Sequence, residues 1–296
     1  METQNGKRPL RLAYSSCPND TFIFHAWVKG LLPEAPPVDE RLEDIDRLNS
    51  LALAGEAEVV KLSLFAFAHV RDRYALLRSG AAMGWGCGPL VVASKSSLLR
   101  PATSPGQAAA LADELARVRV AIPGELTTAA LLVGLFTGGL RRPVVMRFDR
   151  IMPAVAAGEV DAGVIIHEGR FTFASHGLRR LVDLGEWWET TSGLPLPLGG
   201  IAVSRALPLS SQEKVQRAMR DSIEHATTRP EAAMPYVLEH AKELDPAVCR
   251  AHIDLYVNDF TLDCGPQGEA AIRSLLDTAY SLGLAPRSEA SLFWDG

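Results

Sequence analysis

The chain has 296 residues, of which 47% are hydrophobic and 22% charged, and its formal net charge is −5. This length suggests about two domains, and the composition is that of a globular protein with a core large enough to fold without a metal or disulfide staple. The acidic balance argues against nucleic acid as a partner, because phosphate binding needs a concentrated basic face.

The amino terminus and the cysteines indicate where the protein works. No apolar stretch with a cleavage site opens the chain, which predicts a protein without a signal peptide. No apolar run reaches the ~18 residues of a membrane span. The cysteines, Cys17, Cys87, Cys249 and Cys264, fit no zinc or redox spacing, and no His-x-x-x-His pair accompanies them, so we expect no metal. These features predict a cytoplasmic protein without a membrane partner. We expect it to be a monomer or a homodimer.

Strand and helix signals alternate in the first third of the chain. Short apolar runs predict strands, and apolar residues at helical spacing predict helices. Asp20 or Thr21 is the expected N-cap of the first helix. The predicted elements are strand Leu10–Tyr14, helix Thr21–Leu32, helix Leu42–Ala54, strand Glu58–Ser63, helix Leu64–Val70, the glycine-rich turn Gly84–Pro89 and strand Leu90–Ala93.

The same alternation continues after a predicted surface connection, Ser94–Gln107, and then gives way to a helical tail. The predicted elements of the middle are strand Arg119–Ile122, helix Thr127–Phe136, strand Pro143–Phe148, helix Ile151–Ala157, strand Ala162–His167 and strand Ile201–Ser204. The tail is predicted to contain helices Ser211–Thr228, Glu231–His240, Pro246–Val257 and Gly268–Leu282.

This order predicts an α/β fold of two lobes, the second inserted into the first. Strands that are apolar on both faces are typical of parallel sheets covered by helices on each side. The predicted first lobe comprises residues 1–93 and 200–296, and the predicted second lobe comprises residues 94–199. A small-molecule ligand is expected in the cleft between the lobes.

Polar residues follow two strands of the predicted first lobe, at the edge where open parallel sheets bind ligands. Asn19 precedes a helix whose free backbone N–H groups can hold an anion, although simple capping by Asp20 is the alternative. Lys61 can pair with a carboxylate and Ser63 can donate a hydrogen bond. The alternative is a lysine that extends to solvent and a serine that merely ends the strand.

Thr127 and Thr128 begin a predicted helix after the turn Pro123–Leu126. Their hydroxyl and N–H groups together form a candidate cradle for a carboxylate. The alternative is that one threonine caps the helix and the other packs. The segment lacks the glycine pattern of dinucleotide sites and of phosphate-binding loops, so no nucleotide cofactor is predicted.

His167 directly follows an apolar strand at the expected cleft. A neutral imidazole there can act as a general base, and its ordinary pKa would place the acid limb of activity at roughly pH 6–7. The alternative is a structural histidine at the sheet edge. The other six of the seven histidines have no polar cluster nearby in sequence. A Gly-x-Ser-x-Gly motif is absent, which argues against a serine hydrolase of that type.

Ordered motifs along the whole chain together resemble one known family. They are Cys17–Phe24, Glu43-Asp44 with Leu48-Asn49, Lys61–Ser63, Val70–Tyr74, Gly86–Val92, Thr127–Ala129, Asp149–Ile151, Gly163–Glu168, Gly193–Gly199 and Tyr256–Asn258. This set resembles 1,4-dihydroxy-6-naphthoate synthase, the MqnD family of the futalosine route to menaquinone. One departure is Ser16, where many members have proline.

The resemblance implies a two-lobed fold like the type II periplasmic binding proteins, but cytoplasmic and catalytic. It implies a lyase that converts cyclic dehypoxanthinylfutalosine to 1,4-dihydroxy-6-naphthoate and dihydroxyacetone without a redox cofactor. The family's general base matches His167. Its substrate-contacting residues match Lys61, Leu62 and Ser63 and also Thr128 and Ala129, with Asn49 nearby.

Two other functions fit the same fold. One is a sibling enzyme that dehydrates chorismate, and the other is a solute-binding protein without catalysis. The Cys17–Thr21 and Ile165–Glu168 motifs favour the synthase over the sibling. The absence of an export signal and the position of His167 favour an enzyme over a binding protein.

Overall fold

Strands and helices alternate along residues 8–242 and 245–294, which are the residues that the computed structural model describes. The expectation about a signal peptide concerns residues 1–7, which lie outside this part of the chain. The first elements are β1 (Leu10–Tyr14), α1 (Pro18–Val28), β2 (Val38–Leu42), α2 (Ile45–Ala54), β3 (Val59–Ser63), α3 (Leu64–Val70), β4 (Tyr74–Leu76) and β5 (Ala82–Gly84).

The middle of the chain continues the alternation, and the last part is helical after one long strand. The middle elements are β6 (Leu90–Ser94), α4 (Pro105–Leu115), β7 (Val120–Ile122), α5 (Thr128–Thr137), β8 (Pro143–Val145), α6 (Phe148–Ala156), β9 (Ala162–Ile165), α7 (Gly169–Thr172), β10 (Leu178–Asp183) and α8 (Leu184–Ser192). The last elements are β11 (Leu196–Ser204), α9 (Leu209–Thr228), α10 (Pro230–His240), α11 (Pro246–Tyr256), α12 (Asp259–Leu262) and α13 (Gly265–Ser281).

These strands form two mixed sheets. In the first sheet the order is β2-β1-β3-β11-β4, and β5 also pairs with β11. The neighbours β1, β2 and β3 run parallel, whereas β11 runs antiparallel to β3. Every residue of β3 is buried, as expected for a central strand that is covered on both faces. The end of β3 therefore opens into the interior of the molecule.

The second sheet has the order β10-β6-β9-β7-β8. Strand β7 runs parallel to β8 and β9, and β6 runs antiparallel to β9 and β10. Because β6 belongs to this sheet, residues 90–93 lie with the second sheet, whereas the sequence-based division put them in the first lobe. Strand β11 enters the first sheet at Leu196. The lobe boundaries themselves remain a prediction.

Several predicted element boundaries are wrong. Helix α1 begins at Pro18 with Cys17 as its N-cap, so neither Asp20 nor Thr21 is the cap. The predicted helix Leu42–Ala54 starts only at Ile45, because Leu42 ends the edge strand β2. Within the predicted connection Ser94–Gln107, helix α4 begins at Pro105, and the hydroxyl of its N-cap Ser104 accepts from the N–H of Gln107.

Other elements were missed or overextended. The sequence interpretation did not predict β2, β4, β5, β10, α4, α7, α8 or α12. Strand β8 is short, because α6 already begins at Phe148. Strand β9 ends at Ile165, before His167, whose φ of 56° is positive. A residue in this left-handed conformation leaves the strand direction, so the side chain of His167 does not continue the alternation of β9.

The two sheets meet through hydrogen bonds and one close backbone approach. Oγ1 of Thr128 donates to the carbonyl of Leu198 at 2.6 Å, and Nδ2 of Asn49 donates to the carbonyl of Leu126 at 3.4 Å. Gly124 has a φ of 146°, and a Cβ there would lie 2.3 Å from Oδ1 of Asp46. Glycine is therefore required where this loop meets α2.

Among the described residues, no helix is both long enough and apolar enough to cross a membrane.

Candidate active site

A cavity of about 80 Å³, lined by polar and apolar residues, lies between the two sheets. The first sheet, its helices and the helical tail supply one wall, and the second sheet and α5 supply the other. The polar residues that line it are Ser15, Asn19, Asp20, Lys61, Ser63, Thr127, Thr128, His167, His252 and Tyr256. Ala129 also lines the cavity.

The structure therefore brings most of the predicted site residues together. Two of them, Leu62 and Asn49, do not line the cavity. Leu62 is fully buried in the core, because side chains alternate along β3 and its neighbours Lys61 and Ser63 take the cavity side. Asn49 lies behind Ser63 and is 1% exposed.

Lys61 and Asp20 form a buried ion pair at the cavity wall. Nζ of Lys61 lies 2.9 Å from Oδ1 of Asp20. The other carboxylate oxygen of Asp20 accepts from Oγ of Ser15 at 2.6 Å. Asp20 therefore serves the cavity rather than the start of α1. The alternative of an exposed lysine is wrong, because the Lys61 side chain is 6% exposed.

Asn19 extends this network towards the helical tail. Its Nδ2 donates to Oδ1 of Asp20 at 2.9 Å, and its Oδ1 lies 3.0 Å from Nε2 of His252 on α11. Both ends of the amide are thus used within the protein. Asn19 fixes the positions of Asp20 and His252, and its own side chain forms part of the cavity wall.

Asn49 positions Ser63. Its Oδ1 accepts from the backbone N–H of Ser63 at 3.0 Å, and its Nδ2 donates to Oγ of Ser63 at 3.2 Å. Because Oγ of Ser63 accepts this bond, its own hydrogen is directed elsewhere, and the residue lines the cavity. The role of Asn49 is therefore to hold Ser63 and the Leu126 carbonyl in place.

The start of α5 presents backbone donors rather than free hydroxyls. Thr127 is the N-cap, and its Oγ1 accepts from the N–H of Ala130 at 3.1 Å. The Thr128 hydroxyl is used on Leu198. Among the described residues, no acceptor is paired with the N–H groups of Thr128 and Ala129. Such N–H groups at a helix N-terminus favour an anion.

His167 contacts the cavity from the second sheet, with Phe148 packed edge-on at 5.0 Å between ring centroids. Burial lowers its pKa to about 4, and the opposing charges of Asp20 and Lys61 act more weakly. The imidazole is therefore neutral at physiological pH, as a general base requires. The sequence placed the acid limb of the activity–pH profile at roughly pH 6–7, because that value assumed an ordinary imidazole. The lowered pKa of His167 shifts the expected limb to lower pH.

Cys17 contacts His167 across the cavity wall. Its Sγ lies 3.3 Å from Nδ1 of His167. Burial raises the pKa of Cys17 well above its ordinary value, so the residue is a neutral thiol. A thiol is both a weak donor and a weak acceptor, so this contact is compatible with a hydrogen on either nitrogen of His167.

The sequence interpretation missed His252, Tyr256, Ser15 and the pairing of Asp20. Tyr256 belongs to a motif that carried the resemblance, and His252 lies one helical turn before it on α11. Spacing of four residues places two side chains on one helix face, which was the available signal. Their rings are 4.6 Å apart, and the Tyr256 hydroxyl donates to the carbonyl of Cys87 at 3.1 Å.

The described residues can also be compared with the ligand sets that bind metal ions. Among residues 8–242 and 245–294, no three His, Cys, Asp or Glu side chains are grouped so that they could hold a metal ion.

Two mixed sheets with a cavity between them define an α/β protein of the periplasmic-binding-protein fold. The alkanesulfonate-binding protein SsuA of Xanthomonas axonopodis pv. citri superposes with a TM-score of 0.69, at 15% identity over 96% of both chains. A solved protein from Archaeoglobus fulgidus superposes with a TM-score of 0.85, at 37% identity over 95% of this chain and 100% of its own. The predicted fold class is confirmed.

The family follows from sequence comparison. A family model described as menaquinone biosynthesis matches residues 10–281, and the chain belongs to this family. A relative from Streptomyces coelicolor, named 1,4-dihydroxy-6-naphtoate synthase, is 47% identical over 94% of this chain and 95% of its own. A relative of the same name from Thermus thermophilus is 48% identical over 96% of this chain and 98% of its own.

Proposed function

We propose that the protein is a 1,4-dihydroxy-6-naphthoate synthase, a lyase of menaquinone biosynthesis that acts in the cytoplasm. Its proposed substrate is cyclic dehypoxanthinylfutalosine, and its products are 1,4-dihydroxy-6-naphthoate and dihydroxyacetone. The two relatives of that name support this proposal, because they match nearly the whole chain at almost half of its positions. The observation that carries it is a neutral imidazole, His167, at the wall of the cavity between the two sheets.

The carboxylate of the substrate binds at the start of α5. Thr128 and Ala129 line the cavity, their N–H groups have no acceptor among the described residues, and the helix dipole adds a favourable field. This role uses the backbone, so it differs from the side-chain cradle suggested by the two threonines. Ser63 supplies a further hydroxyl donor from the opposite wall.

His167 moves the protons. Opening of the sugar ring, cleavage of a carbon–carbon bond and aromatisation each require a proton to be removed or supplied. With hydrogen on Nδ1, directed to the sulfur of Cys17, Nε2 is a base. The imidazolium that forms when Nε2 takes a proton is the acid that returns the proton at a later step. The sulfur of Cys17, 3.3 Å from Nδ1, can hold the ring in the tautomer that leaves Nε2 as the base.

The buried ion pair of Lys61 and Asp20 supplies fixed charge at the cavity wall. Preorganised charges of this kind stabilise charge that develops in a transition state without having to reorient. Aromatisation of the product provides the driving force, so the proposed reaction needs no electron carrier.

The direct test is incubation of the purified protein with cyclic dehypoxanthinylfutalosine, with chromatographic detection of 1,4-dihydroxy-6-naphthoate. We expect turnover of this compound and no turnover of chorismate, which serves as the control substrate. Turnover of chorismate alone would assign the dehydratase activity instead. Binding of either compound without product would indicate a solute-binding protein.

A further inference from the structure

A second histidine, His252 of α11, lies on the same cavity as His167 and has no role in the chemistry described above. It is 1% exposed. Its ring is nearly parallel to that of His167, with 6.3 Å between the centroids and 24° between the planes. A buried imidazole at the wall of a substrate cavity is held there by specific contacts, and these contacts define what it can bind.

The hydrogen-bond network fixes which nitrogen of His252 carries hydrogen. Asp20 accepts from Lys61 and from Nδ2 of Asn19, each at 2.9 Å. Because the amide nitrogen of Asn19 is committed to a carboxylate, its Oδ1 faces His252 and can only accept. Nε2 of His252, at 3.0 Å, must therefore be the donor.

The other nitrogen is consequently an unpaired acceptor. Burial, together with the nearby His167 and Lys61, lowers the pKa of His252 well below its ordinary value, so the ring is neutral and carries a single hydrogen. Nδ1 then bears a lone pair. It is buried and meets no hydrogen-bond partner among the described residues. Buried acceptors in native proteins are normally satisfied, so this atom points to a missing donor.

We infer that Nδ1 of His252 accepts a hydrogen bond from a hydroxyl group of the bound substrate. This inference rests on the proposed function, in which the substrate carries a sugar-derived polyol as well as a carboxylate. An acceptor-only atom repels a carboxylate, whereas the N–H groups at the start of α5 attract one. His252 thus determines which end of the substrate lies against α11, and it gives the cavity its preference for a hydroxyl-bearing ligand there.

The His252→Gln variant separates this role from a structural one. The amide nitrogen of glutamine reaches the position of Nε2 and can still donate to Asn19, but no acceptor remains at the position of Nδ1. His69→Gln is the matched control, because Nε2 of His69 is likewise buried and unpartnered but does not line the cavity. Thermal unfolding of both variants checks that each is folded.

In His252→Gln we expect KM for cyclic dehypoxanthinylfutalosine to rise about 3- to 10-fold, the loss of one hydrogen bond, with a smaller change in kcat. The affinity for 2-naphthoate, which has the ring and carboxylate but no hydroxyl, should be unchanged, and His69→Gln should behave as wild type. An unchanged KM, or an equal loss of 2-naphthoate binding, would overturn the inference. Absence of turnover by the wild-type protein would instead overturn the proposed function, and with it this ligand.

Discussion

Lys61 and Asp20 form an ion pair of 2.9 Å between β3 and α1, and their side chains are only 6% and 2% exposed. The pair joins the end of a central strand to the first turn of a helix, directly at the cavity. Asn19 and Ser15 bind the same carboxylate, so the charges are held in place before any ligand arrives.

Removal of one partner of this pair should be costly. Lys61→Met leaves the Asp20 carboxylate buried without its cation, and we expect the free energy of unfolding to fall by about 3–5 kcal/mol. Denaturant titration measures this change. The double variant Lys61→Met with Asp20→Asn should recover part of the stability, because no unpaired charge remains, but not the activity.

The control for this prediction is the exposed pair of Arg250 and Glu231, whose side chains are 51% and 74% exposed. Arg250→Ala should leave the denaturation midpoint unchanged, since surface pairs contribute little. A Lys61→Met variant as stable as Arg250→Ala would show that the buried pair is not important for the fold.

His167→Asn tests the proposed general base. A general base contributes about 10²–10⁴-fold to rate, so kcat should fall by that order. Binding of 1,4-dihydroxy-6-naphthoate should largely survive, because a base acts mainly in the transition state. Steady-state kinetics and calorimetry measure the two quantities. The exposed His176→Asn is the control, and near-normal kcat in His167→Asn would remove His167 from the mechanism.

Thr128→Val distinguishes the hydroxyl of Thr128 from its backbone N–H. The hydroxyl bonds the Leu198 carbonyl at 2.6 Å, so the variant leaves that carbonyl unsatisfied and should lower stability by about 1–3 kcal/mol. KM should change little, since the N–H group remains. Thr137→Val, at the other end of α5, removes a bond within the helix only and should be milder. A large rise in KM at unchanged stability would mean that the hydroxyl binds substrate.

The cavity implies motion of the lobes. At about 80 Å³ it is smaller than the ~300–1,000 Å³ of sites for drug-sized ligands, so a bicyclic substrate enters only when the walls separate. We expect small-angle scattering to show a more extended molecule without ligand and compaction when 1,4-dihydroxy-6-naphthoate saturates it. An identical profile in both states would argue against binding between the lobes.

The sequence predicted an α/β fold because short apolar runs alternate along the chain with apolar residues at helical spacing. Strand β1 and helix α3 have the predicted bounds, since each is a short apolar run between polar residues. The edge strand β2 was not predicted, and only its last residue, Leu42, was assigned to a helix, because Asp39–Leu42 combine three charges with one apolar side chain. Its strand conformation comes from pairing with β1, which a local pattern does not contain.

For the candidate site, the sequence predicted which segments line the cavity better than it predicted which side chains contact each other. Alternation along β3 explains why Lys61 and Ser63 line the cavity and Leu62 does not, and strand periodicity alone would have separated them. The partner of Lys61 and the contact between His252 and Asn19, 233 positions apart, depend on how distant elements pack. The roles assigned to these residues remain predictions that the variants test.

The low pKa of His167 makes a prediction about pH. The pKa is lowered to about 4, mainly by burial; Lys61 and Lys242 contribute to the lowering, and Asp20 and Asp44 oppose it. Because a proton binds only below that pKa, the imidazole stays neutral and able to accept a proton from neutral pH down to about pH 5. The kcat for cyclic dehypoxanthinylfutalosine, which reports groups in the enzyme–substrate complex, should therefore be flat over this range, with an acid limb near pH 4, in samples shown by circular dichroism to be folded. A limb with its midpoint between about pH 6 and 7 would indicate an imidazole in its ordinary state, and would mean that the cavity around His167 is open to water when the substrate binds.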